Sequence, residues 1–107
     1  MKRFVIALAA ALSLGAFAQA EPEFKLVIEN HKFTPETITV PAGQKVKLVI
    51  ENKDATPEEF ESHQLNREKV IAPGAKAVIF IGPLKPGKYE FVGEYNEATA
   101  KGVVVAE

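Results

Sequence analysis

Four side chains able to bind a metal ion fall close together: Glu58, Glu59, Glu61 and His63. Glu94 and Glu97 follow in a late loop, and His31 stands in an early one. Carboxylate and imidazole together form a donor set of intermediate to hard character. Such a set suits Fe(II), Mn(II), Cu(II) or Zn(II), and not Cu(I), which prefers sulfur. The chain has no cysteine, and Met1 is its one methionine. The candidate metal ligands are therefore Glu58, Glu94, His31, His63, Glu61 and Glu97, with an Fe, Cu or Mn ion as the candidate occupant.

An extended segment divides the first of these groups. Successive strand side chains point to opposite faces. With Phe60 packed inward, Glu58 and Ser62 share its face, and Glu59, Glu61 and His63 take the other. Glu59 and Glu61 then read first as solvated surface. Glu94 sits between apolar Val92 and Tyr95, where an ionised carboxylate needs a partner, either a metal ion or a cation such as Arg67 or Lys101. Asn96 reads as a residue that holds its loop by hydrogen bonds. Ser62 and His63 are adjacent and face opposite ways, so they do not form a nucleophile–base pair. No phosphate loop or nucleophile elbow is present, and the sequence carries no enzyme signature.

The elements that must position these residues are short strands separated by turn residues. Strands are expected at 24–29, 37–40, 45–52, 59–64, 69–71, 75–81, 87–92 and 102–105. Breaks fall at Thr34-Pro35, Pro41-Ala42-Gly43, Thr56-Pro57, Ala72-Pro73-Gly74, Gly82-Pro83 and Lys85-Pro86-Gly87. A helical turn fits at 57–60 or 97–100, and no long amphipathic helix is visible. The pattern predicts an all-β Greek-key β-sandwich of seven to eight strands.

Residues 1–20 read as a cleavable signal peptide. Lys2 and Arg3 give a positive start, residues 4–14 an apolar run, and Ala18-Gln19-Ala20 a small-x-small cleavage site. An uncleaved anchor is the alternative, but the run is shorter than the roughly 20 residues that span a bilayer. The expected location is periplasmic, with one domain at 21–107. Losing Lys2 and Arg3 leaves 11 basic side chains against 14 acidic, a net charge of −3. That balance argues against phosphate-driven nucleic-acid binding. Without cysteine, stability must come from the core and sheet pairing or from a bound metal.

Four segments in order resemble the cupredoxin family. F-T-P-E-T-I-T-V-P-A-G-Q-K-V-K-L-V-I-E-N (33–52) is similar to the family's opening strands. A-P-G-A-K-A-V-I-F (72–80) is similar to its second proline-glycine turn and strand. P-G-K-Y-E-F (86–91) resembles the strand that delivers the copper cysteine, and K-G-V-V-V (101–105) the closing strand. The resemblance implies a metal site at one end of the sandwich under three loops. It also implies where the blue-copper ligands, two His, one Cys and an axial Met, would stand. They fall on Glu58, Gly93, Asn96 and Thr99 or Ala100, so all four are absent.

The run D-A-T-P-E-E-F-E-S-H-Q-L-N-R-E-K-V (54–70), followed by I-G-P-L-K-P-G-K-Y, is similar to the small periplasmic cupredoxin-like component of bacterial ferrous iron uptake systems. The blocks E-E-F-E-S and G-E-Y carry that resemblance. Some members of the group have His at the position of Asn96. The resemblance implies iron handling alongside a membrane iron permease and a second periplasmic iron-binding protein. Two other readings remain at this point. One is copper-dependent oxidation of Fe(II), and the other is a metal-free interaction module that kept the scaffold and lost the site.

Overall fold

A computed structural model describes residues 20–107 of the protein; the expected leader lies outside the described residues except for Ala20. Among the described residues nine strands follow one another: β1 (Glu23–Glu29), β2 (Lys32–Thr34), β3 (Thr37–Val40), β4 (Val46–Asn52), β5 (Glu58–Ser62), β6 (Arg67–Ile71), β7 (Lys76–Ile81), β8 (Gly87–Gly93) and β9 (Lys101–Ala106). They form two sheets, one in the order β2-β1-β4-β7 and one in the order β3-β9-β8-β5-β6. Strand β1 runs parallel to β4, and β3 to β9, while the other pairs are antiparallel. The expected all-β sandwich is what the chain forms. Among the described residues no helix is long and apolar enough to cross a membrane.

The alternation in the sequence becomes the core. On β4, Val46, Leu48 and Ile50 are buried while Lys47, Val49 and Glu51 stay half-buried. Each such aliphatic side chain contributes about 1.5–3 kcal/mol by leaving water. Phe33, Phe60 and Phe91 meet at the centre. Phe91 stacks on Phe60 at 5.0 Å between ring centroids, and Phe33 meets Phe91 edge-on at 4.9 Å. These rings come from β2, β5 and β8, so they bind the two sheets together under the loops that carry the candidate ligands.

Two local expectations need correction. Strand β2 was not expected, because a three-residue strand carries too little alternation to show. It forms because Asn30 and His31 both take positive φ (56° and 58°) and close a two-residue hairpin turn. The helical turn does not form at 57–60, which is instead the start of β5. It appears as a 3-10 turn at Glu94–Asn96, extended by a 2.8 Å bond from the Ala100 N–H to the Asn96 carbonyl. Pairing of β5 on both sides explains the difference, since β6 and β8 hold it extended.

Buried Asn52 fixes the loop that leads into β5. Its Nδ2 donates to the Thr56 carbonyl at 2.9 Å and to the Ile71 carbonyl at 3.0 Å, and its Oδ1 accepts from the Asp54 N–H at 2.9 Å. The Asp54 carboxylate in turn accepts the N–H groups of Asn30 and His31. One polar chain therefore ties the β1–β2 turn to the entrance of β5.

Candidate functional site

Strand β5 divides its side chains as period two requires. Glu58, Phe60 and Ser62 are buried, and Glu59 and Glu61 are half-buried on the outer face. Glu58 is 1% exposed. A buried carboxylate needs hydrogen-bond donors on its oxygens, and Glu58 has three. Oε1 accepts the N–H groups of Glu59 at 3.0 Å and Tyr95 at 2.9 Å, and Oε2 accepts from Asn96 Nδ2 at 2.7 Å.

Gly93 shows how full this interior position is. A Cβ there would lie 2.7 Å from the Glu58 carboxyl carbon and 2.7 Å from the Ala100 Cβ. A side chain at Gly93 and the Glu58 carboxylate compete for one space. The position that the resemblance gives to the copper cysteine is thus occupied by the residue that stands at the first copper histidine. Ser62, the other buried polar residue of β5, is structural: its hydroxyl donates to the Glu90 carbonyl and accepts the Leu65 N–H.

The outer face of β5 holds a group of carboxylates. In the β5–β6 hairpin Glu61 stands directly opposite Glu68, a cross-strand like-charge pair that costs stability when both are ionised. One carboxylate oxygen from each of Glu59, Glu68 and Glu94 lies within 4.8 Å of the others. Hydrogen bonding to Glu94, partial burial and the negative charges of Glu94, Glu68 and Glu61 push the Glu59 carboxyl up to about 7. Burial and a hydrogen bond to Glu68 also push Glu61 upward, against a smaller downward pull from His63. Of the two partners open to Glu94, a metal ion or a cation, the cation is not supplied: neither Arg67 nor Lys101 forms an ion pair with it. Arg67 turns away, its Nε donating to the Phe80 carbonyl at 2.8 Å. The one ion pair among the described residues joins Lys47 and Glu23, far along the other sheet.

The six expected ligands are therefore dispersed. Glu94 and Glu61 join the outer carboxylates, and exposed His63 stands at their edge, at the start of the β5–β6 turn. Glu58 lies behind the same strand, facing inward. His31 is exposed in the β1–β2 turn, where its backbone bonds Asp54 and Thr99, and Glu97 is exposed after the 3-10 turn. Neither belongs to the carboxylate group. Of that group, Glu59 reads from the sequence as solvated surface and Glu68 is not singled out there. The hairpin register held the signal, since pairing Ser62 with Arg67 places Glu61 against Glu68 and Glu59 against Val70.

The chain belongs to the cupredoxin-like domain family, whose sequence pattern matches residues 2–106. An uncharacterized protein of Rickettsia prowazekii (strain Madrid E) is 47% identical over 83 residues, covering 78% of this chain and 66% of that protein. The chain thus spans just under two thirds of that relative. Among solved structures, the fold is similar to the metal binding domain of the Streptococcus pneumoniae Cu(I)-exporting P-type ATPase CopA, with a TM-score of 0.74 at 15% identity. That match covers 86% of this chain and 91% of the domain. Auracyanin of Roseiflexus castenholzii matches with a TM-score of 0.67 at 18% identity, over 83% of this chain and 99% of its own. At such identities the likeness is one of fold.

The blue-copper ion that the fold family implies does not fit these residues. No sulfur donor is present after Met1. Both oxygens of the buried carboxylate already accept hydrogen bonds, and no buried side-chain N or O atom among the described residues lacks a partner. The carboxylates that meet solvent, Glu59, Glu68 and Glu94, are grouped on the outer face.

Proposed function

We propose that the protein is a periplasmic accessory of iron uptake, which receives a metal ion as cargo on the outer carboxylate face of β5. The ion is Fe, Cu or Mn, and the partners are a membrane iron permease and a second periplasmic iron-binding protein. One observation carries this reading. The two blocks behind the resemblance to the ferrous iron uptake component, E-E-F-E-S and G-E-Y, meet in space, with Glu59 of the first beside Glu94 of the second. Three carboxylates held together without an ion pair to a cation gain from a divalent ion that neutralises them, and oxygen donors suit hard cations.

The test is a titration of Fe(II), Mn(II) and Cu(II) against the purified protein and four variants. Glu59→Gln, Glu68→Gln and Glu94→Gln should each weaken binding. Glu36→Gln, exposed before β3, should leave it unchanged. Affinities equal to the parent's in all four would retire the metal reading. A second reading then gains weight, a metal-free interaction module, which the fully bonded interior carboxylate favours. Copper-dependent oxidation of Fe(II) is the weaker rival, because a copper held by oxygen and nitrogen alone lacks the soft donors that stabilise its reduced state.

A further inference from the structure

We infer that Glu58 is a positioning residue: its buried carboxylate staples β5 to the 3-10 turn and so holds Glu59 and Glu94 side by side. Glu58 Oε1 accepts the N–H of Glu59, the next residue of β5, and the N–H of Tyr95, the residue after Glu94. One oxygen thus bridges the backbones of the two segments that carry the outer carboxylates. The second oxygen takes Asn96 Nδ2 and anchors the far end of the same turn. Sheet pairing alone does not supply this link. Strand β5 pairs with β8 at Phe60–Gly93 and Glu61–Val92, and the ladder ends at Gly93, before Glu94.

The space behind the strand supports the same role. Gly93 lets the β8 backbone approach the carboxylate, and the Ala100 methyl fills the same space that a side chain at Gly93 would need. The Gly93 N–H and the Ala100 carbonyl bond at 2.9 Å, which closes the base of the turn. The Glu58 carboxylate, bonded to three N–H donors, makes this connection with protein groups alone. Charge at the surface and fixation beneath it are thereby divided between two faces of one strand. Glu59 and Glu94 are both acidic, and their mutual repulsion favours separation. The staple opposes that separation from behind.

This role takes its functional meaning from the surface-cargo reading, but its test does not depend on it. The test compares the full-length protein with Glu58→Gln and Glu58→Leu. A glutamine carbonyl still accepts both backbone N–H groups, and its amide can face a flipped Asn96 side chain. Leucine keeps the bulk and accepts nothing. Carbon-detected NMR titration follows Glu59 without metal, amide exchange follows Tyr95, and Mn(II) is the metal probe. In the parent, where Tyr95 N–H bonds Glu58 Oε1 and Glu59 is pushed up to about 7, Glu59 is expected to titrate near that value and the Tyr95 amide to exchange slowly. In Glu58→Leu, the Glu59 midpoint falls toward the ordinary value of 4.5, and Tyr95 exchanges fast. Mn(II) binding weakens by about 10- to 100-fold, as when outer partners of metal ligands are removed. Glu58→Gln keeps the Glu59 midpoint high and stays close to the parent in Mn(II) affinity.

A folded Glu58→Leu protein whose Glu59 midpoint is unmoved overturns the inference. So does Glu58→Gln if it loses Mn(II) binding as severely as Glu59→Gln, because Glu58 is then a ligand. If Glu58→Leu does not fold, Asn96→Ala carries the test. It removes one of the three donors and should lower the Glu59 midpoint by a smaller amount; an unchanged midpoint counts against the staple. A parent that binds no Mn(II) retires the cargo reading alone, and the Glu59 midpoint still decides the staple.

Discussion

Asn96 Nδ2 lies 2.7 Å from Glu58 Oε2, and the two residues stand where the family's resemblance places its two copper histidines. A pair that would meet through a metal meets directly. The donor is an amide and the acceptor a carboxylate, so the contact satisfies both without an ion. Both oxygens of the interior carboxylate are thereby engaged, and the grouped outer carboxylates stand on the other face of β5.

The first consequence is spectroscopic. Intense blue colour requires charge transfer from a thiolate to copper, and no residue after Met1 carries sulfur. The protein loaded with Cu(II) should show only the weak absorption of oxygen- and nitrogen-bound copper. A strong band in the blue-copper region would overturn the placement of Gly93 at the cysteine position.

The aromatic centre sets the largest stability effects. Phe60 and Phe91 are 0% and 1% exposed and stack on each other. Phe60→Ala or Phe91→Ala should each cost about 3–5 kcal/mol in denaturant unfolding. The double variant should cost less than the sum, because both changes open the same cavity. A loss below about 1 kcal/mol for either would be incompatible with the burial seen.

Much of this architecture was legible beforehand. The alternation of Val46, Leu48 and Ile50 with Lys47, Val49 and Glu51 fixed the facing of β4, and Phe60 fixed that of β5, including the inward turn of Glu58. Strand β2 was hidden because its turn uses Asn30-His31 rather than a glycine pair, so its positive φ values left no strong trace. The candidate site was legible only in part. Glu94 was assigned a cationic or metal partner, yet its neighbours are Glu59 and Glu68. That juxtaposition depends on β8 pairing beside β5 and on where the chain leaves β8, which are long-range facts that local patterns do not encode.

Loss of the Asn52 amide should be felt in the loop that enters β5. Asn52→Ala strands the Thr56 and Ile71 carbonyls and the Asp54 N–H. An unsatisfied buried group costs about 1–3 kcal/mol, and exposed Thr56 can turn to water. The expected loss is therefore near the cost of one such group. Amide exchange along 53–57 should accelerate in the same variant. Wild-type stability in Asn52→Ala would mean that the chain from Asp54 to the β1–β2 turn holds the loop without it.

The raised Glu59 carboxyl gives the clearest dependence on pH. Its folded value, about 7, lies above the ordinary 4.5 because of the hydrogen bond to Glu94, partial burial and the surrounding negative charge. A group with a raised value binds its proton more tightly in the folded state. Its contribution to stability is complete below about 4.5 and is lost as pH rises through 7. Glu61 is shifted in the same direction. The protein should therefore unfold at higher denaturant concentration at pH 5.5 than at pH 8, and Glu59→Gln should flatten the difference. Cation binding runs the other way. A metal ion on this face competes with the proton, so Mn(II) affinity should fall between pH 8 and pH 6. The two trends share one titrating pair, so both should shrink together in Glu59→Gln. A parent protein whose unfolding midpoint does not change between pH 8 and pH 5.5 would show that Glu59 and Glu94 are not held together.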